Sequence, residues 1–74
     1  MARNIYRLLP DGHLWTLQVG KRVLGRWRSR QGAVRRAQSV AAGDQPSLLV
    51  VYDRDGSVEL EQPFGHDPHP SSGG

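Results

Sequence analysis

The densest chemistry in this chain lies between Leu24 and Ala37, in "LGRWRSRQGAVRRA". Five arginines, Arg26, Arg28, Arg30, Arg35 and Arg36, fall within that stretch, with Trp27 between the first two. A guanidinium keeps its charge at any physiological pH and presents a planar fork of donors that matches a phosphate. Read as extended chain, the segment sends Arg26 and Arg28 to one side and Trp27 to the other. An inward Trp27 then leaves guanidinium groups in water. From Ser29 the spacing turns helical, and Arg35 and Arg36 fall on flanks away from Ala33 and Ala37. A stripe from sheet edge to helix would hold nucleic-acid phosphates with steep salt dependence and little reading of sequence. Solvated arginines on an ordinary charged face account for the same residues. No helix-turn-helix, zinc finger or pair of stacking aromatics accompanies them.

Other chemistry finds less support. The chain has no cysteine, which removes disulfides, thiolate metal sites and thiol nucleophiles together. His66, Asp67 and His69 in "HDPH", with His13, are competent ligands, but Pro68 forbids a helical presentation and no metal site is assigned. "DRDG", Asp53 to Gly56, has the letters of a calcium loop without its closing glutamate, and reads as a hairpin turn. Its two carboxylates are too exposed there for general-acid work. Glu59 and Glu61 read as partners for arginines on a neighbouring strand. No catalytic residue and no cofactor is expected.

Size points the same way. A chain of 74 residues makes one domain that buries only about 60% of its unfolded surface, leaving little room for an enzyme's cavity. The longest apolar run, Leu48 to Tyr52, is far short of a signal peptide or a membrane span, so a soluble cytoplasmic protein without a membrane partner is expected. The net charge of +3 hides a division. Residues 1–42 carry nine basic side chains against Asp11 alone, whereas residues 43–74 carry Arg54 against six acids. Such asymmetry points to a basic face for a polyanion, unless the two halves neutralise each other on folding.

Periodicity supplies the elements that must position these residues. Ile5 to Leu9 is a short apolar-rich run ending in the turn signal Pro10-Asp11-Gly12. His13 to Val19 alternates, with Trp15, Leu17 and Val19 on one face, and Gly20-Lys21 suits a two-residue hairpin. Arg22 to Arg28 alternates again, with Val23, Gly25 and Trp27 facing the core and Leu24, Arg26 and Arg28 outward. Ala33, Ala37, Val40 and Ala41, with Val34 at the edge, then mark a helix from about Arg30 to Ala42. Ser29 is its N-cap, and Gly43 stands where a left-handed stop is wanted. "SLLVVYD", Ser47 to Asp53, is apolar on both faces, as a central strand would be. Asp55-Gly56 turns the chain into a last strand with Val58 and Leu60 inward and Ser57, Glu59 and Glu61 outward.

The order β-β-β-α-β-β defines an α+β domain, an antiparallel sheet with a single helix packed on one face. Trp15 and Trp27 supply the bulk of its core. Residues 1–65 form the domain, and residues 66–74 form a flexible tail rich in Pro, Ser and Gly.

Taken in order, Trp15, Trp27-Arg28-Ser29 before the alanine-spaced helix, "LLVVYDRDGSVELE" and the terminal "PFGHDPHP" carry a likeness. They resemble a family of small bacterial and phage-associated domains of unknown function. Its pattern runs from a tryptophan strand through a Ser/Thr-capped helix with spaced alanines, an "LVV" strand and a "DG" hairpin to "YGNDP". Here Phe64-Gly65-His66-Asp67-Pro68 takes the last place. Arg28, Gly32 and the Arg35-Arg36 pair depart from the pattern, making this chain more basic before and within the helix. The resemblance implies the fold and brings no substrate, cofactor or catalytic residue.

The expectation is therefore a non-enzymatic protein-interaction or regulatory module with an unidentified protein partner, including a homodimer through a sheet edge. The alternative is a non-specific DNA- or RNA-binding accessory protein using Arg26, Arg28, Arg30, Arg35 and Arg36.

Overall fold

Three alanines four residues apart set how closely the helix approaches the sheet. In the computed structural model, which describes residues 4–65, α1 spans Arg30–Ala42 and turns Ala33, Ala37 and Ala41 onto the sheet with no exposure. The Ser29 hydroxyl accepts the Gly32 N–H at 3.1 Å, as an N-cap should. The other end differs from the expected left-handed stop. Gly43 stays right-handed at φ −82°, continuing the helical turn so that the following Asp44 N–H bonds back to the Ala41 carbonyl at 3.1 Å. The 66–74 tail, with His66, Asp67 and His69, lies outside the described residues.

The strands are β1 (Asn4–Asp11), β2 (Leu14–Val19), β3 (Arg22–Trp27), β4 (Ser47–Tyr52) and β5 (Val58–Phe64). They form one sheet in the order β3-β2-β1-β4-β5. The expected order of elements holds, but the sheet is mixed rather than antiparallel, since β1 and β4 run parallel at its centre. Hairpins fix β1-β2-β3 and β4-β5 as antiparallel neighbours. Helix α1, about 20 Å long at 1.5 Å per residue, carries the chain back along the sheet to the end where β1 begins. The next strand must then start in the same direction as β1. Local bonds hold that junction. Asn4 N–H donates to the Pro46 carbonyl, while Asn4 Nδ2 and the Tyr6 hydroxyl both donate to the Asp44 carboxylate.

β1 also runs further than expected, through Pro10 to Asp11, with Pro10 opposite Trp15. Its pairing with β4 ends at Leu8, so the N–H that Pro10 lacks costs no bond on that side. The core lies between α1 and one face of the sheet. It contains Tyr6, Leu8, Trp15, Leu17, Leu49 and Val51, with Val19, Trp27, Leu60 and Phe64 packed around it.

Two β-bulges overturn two expected core positions. Leu17 pairs with Gly25 but Gln18 pairs with Val23, which leaves Leu24 as the extra residue. Val51 pairs with Leu60 but Tyr52 pairs with Val58, which leaves Glu59 extra. An extra residue reverses the sides taken by everything beyond it. Val23 and Val58 consequently share the uncovered face with Gln18 and Tyr52, and remain 45% and 49% exposed.

Candidate functional site

Strand order separates the charges that the sequence divides between its halves. The basic strand β3 forms one edge and the acidic strand β5 forms the other. Among the described residues a single ion pair joins the two halves, Arg30 with Glu59. The folded domain is therefore electrically lopsided, and the halves do not neutralise each other.

The five candidate arginines do not form one stripe. Arg26 stands on the uncovered face opposite Thr16, with its Nε 3.9 Å from the Asp11 carboxylate. Arg30 lies on the opposite side of the sheet, paired with Glu59 because the β5 bulge turns that residue toward the helix start. Its guanidinium carbon sits 5.8 Å from the Trp15 ring centre, and that of Arg54 sits 5.3 Å away. Arg54 also donates to the Gly12 carbonyl at 3.0 Å. Arg30 and Arg54 thus border the buried Trp15 at one end of the core, a cation–π contact worth about 0.5–1 kcal/mol at such exposure. Arg28 is exposed between β3 and α1.

Arg35 and Arg36 come together elsewhere. With Trp27, Gly32 and Ser39 they line an open groove of about 510 Å³ between β3 and α1. Residues 32, 35, 36 and 39 share a helix flank, so their spacing alone builds one wall. The other wall rests on Gly25. A Cβ there would come 2.8 Å from the far edge of the Trp27 indole, so the ring lies back over the glycine. Trp27 packs against the core on the covered side, as expected, yet it is only half-buried. Sequence reasoning missed Gly32 and Ser39 as members of this group. The available signal was Gly25 two residues before Trp27 on the same strand face, beside a glycine in the helix flank.

A second surface has no counterpart in the expected site. The face of the sheet opposite α1 carries Ile5 and Leu9 from β1, Leu14 from β2, and Leu48, Val50 and Tyr52 from β4. Val23 and Val58 extend it at both edges. Arg7 lies between Gln18 and Val50 in one cross-strand row, and Glu61 lies beyond Val50 in the same row. The Thr16 hydroxyl is buried on this side without a hydrogen-bond partner.

One titratable group stands out at the covered side. Tyr6 donates its hydroxyl to Asp44 at 2.5 Å, which, with burial and the carboxylate's charge, pushes its pKa up to about 12. At the β4–β5 turn, hydrogen bonds from the Ser57 hydroxyl and N–H hold the Asp55 carboxyl below its ordinary range. No cluster of metal-ligating side chains occurs among the described residues. No helix among them is long and apolar enough to cross a membrane.

Fold and charge layout define a small two-layer α+β domain with a mixed sheet open on one side. No family model, curated protein or solved structure matches the chain, and the likeness to the tryptophan-strand family stands as a resemblance.

Proposed function

We propose that this chain is a non-catalytic protein-interaction module that works through the uncovered face of its sheet, with a second copy of itself as the partner. One observation supports the reading above others. Ile5, Leu9, Leu14, Leu48, Val50 and Tyr52 bring apolar side chains from three adjacent strands onto this face around Arg7 and Thr16, and β4 presents only apolar residues there, where a solvated strand would alternate to polar residues. Contiguous apolar patches of that kind on small proteins mark contact surfaces.

Charge selects the occupant and its orientation. Two β3 edges brought together would oppose Arg22 and Arg26 to their own copies. Two β5 edges would oppose Glu59 and Glu61 likewise, and Pro63 withholds a donor there. Face-to-face packing about a two-fold axis parallel to the strands lays the β3 half of one copy over the β5 half of the other. Arg26 then approaches Glu61 of the second copy, Arg7 on the central strand meets its own copy at the axis, and the apolar bands pack on either side of it.

Analytical ultracentrifugation of four chains tests this. The wild type should dimerise, Arg26→Glu and Glu61→Arg should each weaken the dimer about tenfold, and the double exchange should restore it. A wild type that stays monomeric up to about 1 mM, or a double variant no better than the singles, overturns the reading. The first result would leave a different protein as the occupant.

A further inference from the structure

We infer that the groove between β3 and α1 binds single-stranded nucleic acid, with a base stacked on Trp27 and adjoining phosphates held by Arg35 and Arg36. The site is distinct from the uncovered sheet face, so the two readings stand or fall separately.

Three features meet in the groove. The first is an aromatic ring that the fold holds in place but does not cover. Trp27 packs against the core and over Gly25, yet still lines an open groove. A fixed indole loses little freedom when a base settles on it. The second is free positive charge. Among the described residues the ion pairs are Arg26 with Asp11 and Arg30 with Glu59, so neither Arg35 nor Arg36 is neutralised. No acidic residue occurs in the first turn of α1 to oppose a phosphate. The third is space and small polar groups. Gly32 leaves the wall beside the indole open, and the exposed Ser39 brings a hydroxyl to its far end.

The shape argues for a strand rather than an enclosed small molecule. The volume, about 510 Å³, falls within the range of ligand pockets, but the groove is wide open to solvent. Its cations continue along the same edge of the sheet through Arg28 and Arg22, both exposed. A positively charged track with a stacking platform is how single strands are held without sequence preference, because every base has a π face. Duplex nucleic acid would offer only its phosphates, since its bases are already stacked and Trp27 lies in a groove. An acidic peptide would satisfy the guanidiniums and leave the indole idle. The aromatic ring therefore decides between the three ligands.

Fluorescence anisotropy with labelled probes at low salt provides the test. The probes are a thymidine strand of about 12 nucleotides, an abasic strand and a duplex of the same length, and an oligoglutamate. The thymidine strand should bind most tightly, with the abasic strand about tenfold weaker. Trp27→Leu should reproduce that tenfold loss without altering the salt dependence, and Trp27→Phe should recover most of it. The Arg35→Gln/Arg36→Gln variant changes only exposed side chains, so it answers even if Trp27→Leu folds poorly. Losing two phosphate contacts should reduce its slope of log K against log salt by about 1.4. The inference is overturned by absence of binding at low salt, or by abasic strand, duplex or oligoglutamate binding as tightly as the thymidine strand. An unchanged salt slope in the double arginine variant would overturn it too.

Discussion

The two faces of this sheet are built from alternate residues of the same strands, yet they behave as different materials. Leu8, Leu49 and Val51 point at α1, while their chain neighbours Leu9, Leu48 and Val50 point away. The first set has no exposure at all. The second set shares its face with Ile5 and Val58, which are 37% and 49% exposed. Residue type does not separate the sets. The separation comes from the helix, whose alanines allow it to close over one side and only one. Val50 shows the limit of the contrast, because it is 6% exposed although no helix covers it. Arg7 and Glu61 flank it in its row and shield it with long side chains.

The comparison can be broken most severely from the covered side. Leu17→Ala should cost about 2–5 kcal/mol in urea unfolding, enough to threaten folding in a domain with so thin a margin. Ile5→Ala, a comparable truncation on the other face, should cost under about 1 kcal/mol at concentrations low enough to keep the chain monomeric. Equal losses would mean that the uncovered face is covered in solution. The next effect is alkaline. Because the Tyr6 pKa is raised in the folded state to about 12 from about 10 when unfolded, its contribution is complete below pH 10 or so and disappears as the pH climbs through 12. The urea midpoint should fall across that window, and Tyr6→Phe should flatten the fall. Thr16→Val gives the smallest change and the opposite sign. Removing a buried hydroxyl without a partner should stabilise the fold by about 1 kcal/mol, and a lower melting temperature would show that a bond to that hydroxyl exists in solution.

Much of the architecture is legible in the chain because its causes are local. The helix occupies Arg30–Ala42 with Ser29 as its cap, as periodicity and the serine indicate. The hairpins turn at Gly20 and Gly56, both at positive φ, where only glycine is comfortable. Trp15 is buried as its alternating strand requires. The candidate site is less legible. Its five arginines are close in sequence, but they fall on the uncovered face, at the Trp15 end of the core and along the helix flank. Arg30 is drawn away by Glu59, a residue that alternation alone sends to the other side. Only Arg35 and Arg36 stay together, and they do so because helical spacing places them on one wall with Gly32 and Ser39.

By itself the sequence determined the elements, the Ser29 cap and the hairpin turns, and the apolar character of the strands, since each of these is governed by residues within a turn or two of one another. Tertiary structure alone decided that β1 and β4 run parallel, that Val23 and Val58 leave the core, and that basic and acidic strands end at opposite edges. Those outcomes depend on pairing between segments far apart in the chain. A single extra residue in that pairing exchanges inside for outside, and no local pattern records it.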